Sequence, residues 1–412
     1  MIYPLLKRHK IFGFNLKPNI EINSNKQINP DSAFKHYLRK DMVKFQSDSV
    51  GFLKPINEYK NSDETFLFFG GSTTFGTKID QQDSWVEFAL KKQTGNKIFN
   101  YKNYSLPGYS SINDLALIKE LKKNSKLKNK ILFFNQGWNE EFHSSVIRDN
   151  PQNINQVYNE IENNFIYYKS SLFTFLLSNY KFLEKIIKYF FDLRFKKLMN
   201  FSNPSRWKNL SEGKYVDFWI ANLNKIFKNF DDGNFPIFIM EGGLCYLSDK
   251  EKDKQNIINN SRVSENYFDY QALCIAINNI TINTISELFN IPIINFCKIF
   301  QDMESKERLK YFIDEIHYNI EGNHLCGEEF KKQIKYLNFK EIKKLKKFDI
   351  DKLNSTLKNR LNYLFELARI KSLKLKNNDN FVLINFFYFF CNIIFLFNKF
   401  IILISKLFAM FL

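Results

Sequence analysis

The sequence predicts an α/β protein, a three-layer α/β/α sandwich built on a five-stranded, mostly parallel sheet, with a helical insertion and an apolar C-terminal helix. Two observations carry this expectation. First, five short apolar runs, FLFFG (66–70), KIFNYKN (97–103), KILFFNQ (130–136), FPIFIM (235–240) and IPIINF (291–296), read as strands buried on both faces. Second, SWVEFALKKQ (84–93), SINDLALIKELKK (111–123), VDFWIANLNKIFKNF (216–230), the stretch 264–289 and EGNHLCGEEFKKQI (321–334) carry apolar residues at helical spacing. Alternating strands and helices wind into a parallel sheet covered on both sides, because each crossover helix packs back onto the sheet. In such sheets a ligand crevice opens beyond the carboxyl ends of the strands.

Taken in order, residues 1–60 read as an irregular entry segment and 61–340 as the α/β domain. Residues 141–213 interrupt the alternation between the third and fourth strands with the aromatic run FIYYKSSLFTFLLSNYKFLEKIIKYFFDLRF. An inserted helical subdomain packing on the core is the expectation there, with a lid or a second membrane-facing surface as the alternative. Residues 341–377 form a Lys-rich, helical linker to an apolar tail, 378–412. Within that tail FVLINFFYFFCNIIFLFN carries no charge over 18 residues, the lower limit for a membrane-spanning helix. Arg369, Lys371, Lys374 and Lys376 precede it as on a cytoplasmic flank, whereas Asn385, Asn392, Lys399 and Lys406 suit an interfacial segment equally well. The beginning, MIYPLLKRHKIFGFNLKP, lacks the apolar core of a secretory signal. The expectation is membrane association through the tail, with the α/β domain on the cytoplasmic side.

Composition narrows the function classes. Of the 412 residues 44% are hydrophobic and 17% aromatic, enough for a sizeable core. The net charge of +17 comes from lysines scattered over helix faces, without zinc-finger spacing or an RNA-binding aromatic motif. No nucleic-acid partner is therefore expected, although attraction to anionic lipid fits the charge. Cys245, Cys274, Cys297, Cys326 and Cys391 are odd in number and sit mostly in apolar surroundings, as buried reduced thiols do.

The chemistry gathers at the strand ends. FLFFGGSTTFG (66–76) runs a hydrophobic strand into a compact polar turn. A phosphate-binding P-loop is excluded, because Thr77 and Lys78 follow Gly76 in the wrong order for G-x-x-x-x-G-K-[ST]. Ser72 held between glycines is instead a candidate nucleophile, which needs a base fixed by a third group. YFIDEIHYNIEGN (311–323) supplies one: Asp314 and His317 lie three residues apart, ahead of a helix start. NYSLPGYSS (103–111) places Gly108 in a turn where its N–H can point into the crevice. NQGWNE (135–140) places Asn139 just beyond the third strand, with an amide able to donate to an oxyanion. With the Ser72 N–H these make three oxyanion donors.

Ser72 in GGSTTFG, Gly108 in NYSLPGYSS, Asn139 in GWNE, and Asp314 and His317 in DEIH, in this order, resemble the SGNH hydrolases, also called the GDSL esterase/lipase family. The resemblance covers about residues 65–335. It implies a flavodoxin-like α/β/α sandwich and a metal-free, cofactor-free esterase or acyl-transfer mechanism. By position it makes Ser72 the nucleophile, His317 the general base and then acid, and Asp314 its orienter. Ser72, Gly108 and Asn139 form the implied oxyanion hole. Two departures stand out: Gly71 replaces the family's Asp before the serine, a variant associated with bacterial members beginning GGST, and Glu140 replaces the usual Asp after the asparagine. The expected function is a serine esterase or deacylase removing small acyl groups, O-acetyl among them, from a carbohydrate or lipid. The alternatives are an O-acyltransferase using the same acyl-serine, and a non-catalytic membrane-associated protein that keeps the fold.

Overall fold

Five parallel strands form the central sheet: β1 (Thr65–Gly70), β2 (Asn100–Asn103), β3 (Lys130–Asn135), β4 (Phe235–Met240) and β5 (Ile293–Asn295). Their spatial order is β2-β1-β3-β4-β5, and every neighbouring pair runs parallel. This is the doubly wound, flavodoxin-like order, whose switch point lies between the carboxyl ends of β1 and β3. The computed structural model describes residues 6–9, 13–22, 44–56, 65–90, 100–146, 201–230, 233–261, 263–337 and 348–376.

The aromatic strand residues build both faces of the core. Side chains alternate across a strand, so Phe66 and Phe68 leave β1 on one side and Leu67 and Phe69 on the other. Phe68 stacks on Phe133 of β3 with ring centroids 4.7 Å apart, and Trp85 (5.6 Å) and Phe330 (5.9 Å) close over it. Those two come from helices α2 (Trp85–Leu90) and α9 (Ile320–Tyr336), which therefore cover this face. On the opposite face Phe69 stacks on Phe134 at 5.1 Å, and Phe134 meets Phe238 at 6.0 Å.

Besides two short helical turns, Cys297–Gln301 and Ser305–Arg308, further helices are α1 (Ser72–Phe75), α3 (Ser111–Lys123), α4 (Trp138–Val146), α5 (Pro204–Ser211), α6 (Lys214–Phe227), α7 (Glu251–Asn260), α8 (Glu265–Phe289) and α10 (Ile350–Lys376). The helix expected over 111–123 has those bounds. That expected over 216–230 begins earlier, at Lys214, because Gly213 takes the left-handed conformation (φ 67°) that starts it. The strand expected over 291–296 is shorter. Pro292 has no N–H to give and joins the sheet only through its carbonyl, which accepts from Phe238 N at 3.0 Å.

Within residues 1–60, Leu6–His9 pairs with Gly13–Leu16 and Glu21–Ile22 with Phe45–Gln46, both antiparallel. Leu53 then bridges Asn103 and partly covers the exposed edge of β2. Helix α10 buries Leu353, Leu357, Leu361, Leu364 and Ala368, one stripe at three- and four-residue spacing. Its Lys371 pairs with Asp269 of α8 at 2.8 Å, and its Ser372 Oγ donates to Pro204 O at 2.8 Å. Residues 147–200 of the expected insertion and the whole apolar tail, 378–412, lie outside the described residues.

Among the described residues one helix, α8, is long and apolar enough to cross a membrane, and 61% of its most apolar window is buried inside the protein. Its apolar character matches that burial. Cys245, Cys274, Cys297 and Cys326 are free and buried; Cys391 lies outside the described residues.

Phe68→Ala empties the junction of β1, β3, α2 and α9. It is expected to lower stability by about 3–5 kcal/mol, read as a fall in the urea midpoint at unchanged slope.

Candidate active site

The site forms where β1 ends. Its last residue, Gly70, is followed by Gly71 and the single helical turn α1, whose first residue is Ser72. Gly71 gives the Asn139 amide its room: a Cβ there would press on Nδ2 of Asn139 and lie 3.4 Å from the Tyr109 carbonyl oxygen.

His317 reaches Ser72 from the far end of the domain. Its Nε2 lies 2.8 Å from Ser72 Oγ, and its Nδ1 lies 2.9 Å from each carboxylate oxygen of Asp314. The turn that carries both residues is stapled at its base. Ile313 N donates to His317 O at 2.8 Å, Asn319 N to Tyr311 O at 3.0 Å, and Phe312 and Tyr318 form an antiparallel bridge. Asn319 then caps α9 by accepting from Gly322 N at 2.9 Å. Asp314 Oδ1 also accepts from the backbone N–H groups of Ile316 (3.1 Å) and His317 (2.8 Å).

Asp314 has a further partner that the sequence did not announce. The Lys78 ammonium donates to its Oδ2. Lys78 sits just past the Ser72 turn with φ 75°, a left-handed conformation rare for a non-glycine residue. Burial alone would raise the Asp314 pKa. The His317 imidazole and the Lys78 ammonium outweigh it and hold the carboxylate well below its usual range.

Helix α4 locks the two neighbouring loops together. Asn139 Nδ2 donates to Tyr109 O at 2.6 Å, which spends one amide hydrogen and leaves the other. Glu140, fully buried, accepts from Ser111 N at 2.6 Å and Gly137 N at 2.7 Å. One turn further on, His143 Nδ1 meets Ser110 Oγ at 2.5 Å. Burial pushes the His143 imidazole down to about 4, against the pull of the Gly108 backbone, so this histidine is neutral at pH 7. Three side chains of one helix thus hold residues 109–111, next to Gly108, which itself adopts φ 85°. Glu140 does for this loop what only a carboxylate with two free oxygens can do. The sequence marked it only as a departure from a motif.

Ser72, Tyr109, Asn135, Trp138, Asn139 and Glu241 line a cavity of about 30 Å³ beside Ser72. Gly108 stands one residue back from this lining. Ile316 lines the cavity next to His317. Glu241, immediately after β4, was not singled out by the sequence. Burial pushes its carboxyl up to about 7, against the opposing pull of Thr73 and Asn135. Among the described residues no group of three or more His, Cys, Asp or Glu side chains is gathered as a metal site.

No protein-family model matches the chain, and no curated protein matches it. Among solved structures the chain is similar to a member of the lipolytic G-D-S-L family from Veillonella parvula, at 13% identity and TM-score 0.38, over 66% of this chain and 100% of that one. It is also similar to a psychrotrophic esterase from Pseudoalteromonas, at 13% identity and TM-score 0.33, over 66% and 97% of the two chains. An acetylxylan esterase from Geobacillus stearothermophilus superposes at 12% identity and TM-score 0.34, over 68% and 97%. Superpositions this loose carry no functional argument; the fold rests on strand order and direction, and the site on its own geometry.

Glu241 makes stability depend on pH in a definite direction. Its carboxyl ionises near 4.5 when free and near 7 in the fold, so the folded chain holds the proton longer. Stability from this group is complete below about pH 4.5 and declines as pH rises through about 7. Glu241→Gln is spared that decline. Its melting temperature relative to wild type is expected to be higher at about pH 8 than at about pH 4, measured by thermal unfolding at both.

Proposed function

We propose that the chain is a serine esterase of the SGNH kind, hydrolysing esters of small acyl groups through an acyl-serine. The observation that carries this reading is the unbroken hydrogen-bond chain from Ser72 Oγ through His317 to Asp314, assembled from residues 245 positions apart. A chance surface histidine would not be held on both ring nitrogens by a hydroxyl and a carboxylate at once.

In this mechanism His317 Nε2 takes the Ser72 proton as Oγ attacks the ester carbonyl carbon. Asp314, kept ionised by Lys78 and two backbone N–H groups, holds the imidazole with Nδ1 protonated and stabilises the imidazolium that forms. The carbonyl oxygen becomes an oxyanion, for which the donors are the Ser72 N–H, the Gly108 N–H and the second amide hydrogen of Asn139. His317 then returns the proton to the departing alcohol, leaving acyl-Ser72. A water, deprotonated by His317, attacks the acyl carbon; collapse releases the carboxylic acid and restores the serine. The substrates in this reading are acyl esters, O-acetyl among them, of a carbohydrate or lipid alcohol. The uncharged segment near the C-terminus would hold the domain at a membrane.

Two substitutions test the assignment. Ser72→Ala is expected to abolish turnover of nitrophenyl acetate without changing the far-UV spectrum, and a fluorophosphonate probe is expected to label wild type at Ser72. Undiminished turnover by this variant would remove Ser72 from the chemistry. Asn139→Ala is expected to lower kcat by about a hundredfold or more with a smaller change in KM, measured by steady-state kinetics.

A further inference from the structure

Two buried acceptors on the cavity wall have no donor. Oε1 of Glu241 and Oδ1 of Asn135 are both shielded from solvent and without a hydrogen-bond partner among the described residues. Both residues line the cavity beside Ser72. Asn135 ends β3 and Glu241 follows β4, and these strands are adjacent and parallel, with Phe134 opposite Phe238. The two acceptors therefore stand at neighbouring strand ends on the floor of the crevice. An acceptor buried without a protein donor is costly, so one that faces a cavity is a position where a ligand O–H can take the place of water.

The rest of the lining narrows that ligand. Glu140, the other acid on the wall, is already committed to the N–H groups of Ser111 and Gly137. The other side-chain amides on the wall are those of Gln136, Asn139, Asn278 and Asn279, beside the Thr73 hydroxyl and the Trp138 ring; of these Gln136 is already engaged by Asp114 and Trp219. Neutral amides both give and accept, which suits hydroxyl groups that do the same. Size limits the ligand further. One water needs roughly 10–15 Å³ in this measure, and the cavity holds about 30 Å³. A hydroxyl-bearing carbon fits that space and a long acyl chain does not.

We propose that Glu241 and Asn135 form a hydroxyl-binding subsite for the alcohol half of the ester, which makes the substrate an acylated polyhydroxylated alcohol (a saccharide or polyol) in preference to a lipid. This rests on the esterase reading above and assigns Glu241 and Asn135 to substrate recognition, apart from the bond-breaking groups.

The test compares two acetyl esters on the purified full chain: a mono-O-acetyl pentoside with a free hydroxyl next to the ester, and the analogue with hydrogen in place of that hydroxyl. Nitrophenyl acetate serves as the reference for Ser72 chemistry. Wild type is expected to prefer the hydroxylated ester by about tenfold or more in kcat/KM. Glu241→Leu is expected to shrink the ratio to about twofold or less, whereas Glu241→Gln, which keeps an acceptor oxygen, retains most of it. As a second measurement that needs no variant, the unacetylated pentoside is expected to inhibit wild-type nitrophenyl acetate hydrolysis more strongly than its deoxy analogue. Equal treatment of the two esters by wild type, or a preserved ratio in Glu241→Leu, overturns the subsite while nitrophenyl acetate turnover leaves the esterase reading standing. If folded wild type turns over none of the three esters, the esterase reading falls and takes the subsite with it.

Discussion

The hydrogen bond between Ser72 Oγ and His317 Nε2, 2.8 Å long, closes a loop of 245 residues and sets the demands on everything around it. Ser72 must leave the sheet at one fixed point, and the Asp314–His317 turn must return to that point after the chain has laid down four more strands. The parallel sheet meets both demands because every strand in it points the same way. Each strand end delivers its following loop to one rim, where residues distant in sequence become neighbours. The stacked rings of Phe68 and Phe133, with Phe330 tilted against both, tie β1, β3 and α9 together, and α9 begins three residues after His317. The packing that holds the core also fixes the distance between hydroxyl and imidazole.

Around that bond, polar groups are buried in compensated sets. Asp314 is shared among the His317 ring, two backbone N–H groups and Lys78. Its negative charge is thereby stabilised against burial, and a carboxylate kept ionised can steady a cation formed on the adjacent ring. Glu140 is treated differently. Among the described residues it has no cationic partner and instead takes two backbone N–H groups, those of Ser111 and Gly137. That choice spends its acceptor capacity on geometry and fixes the Tyr109 carbonyl against which Asn139 rests.

Glu241 and Asn135 break this pattern, since each keeps a buried oxygen with no donor. Asp314 and Glu140, by contrast, have both carboxylate oxygens answered from within the protein. The contrast separates groups that shape the site from groups left free to meet something else.

The sequence by itself determined the alternation of elements, and with it the fold. Buried parallel strands must be continuously apolar, so FLFFG, KILFFNQ and FPIFIM announce themselves. It also placed Ser72, Asn139, Asp314 and His317 beside strand ends or a helix start, because glycines, a turn and a capping asparagine are local signals. Tertiary structure alone decided what depends on contacts between distant segments. Lys78 meets Asp314 across 236 positions, and nothing in the local run GTKID marks that pairing. Glu241 follows a strand as many glutamates do; only the packing of β3 against β4 and the shielding of its oxygen set it apart. Gly71 could be read as a flexible turn residue, yet the amide of Asn139, on helix α4, occupies the space a Cβ would take. Hydrophobic periodicity is written locally, whereas steric exclusion and burial of charge are properties of the assembled rim.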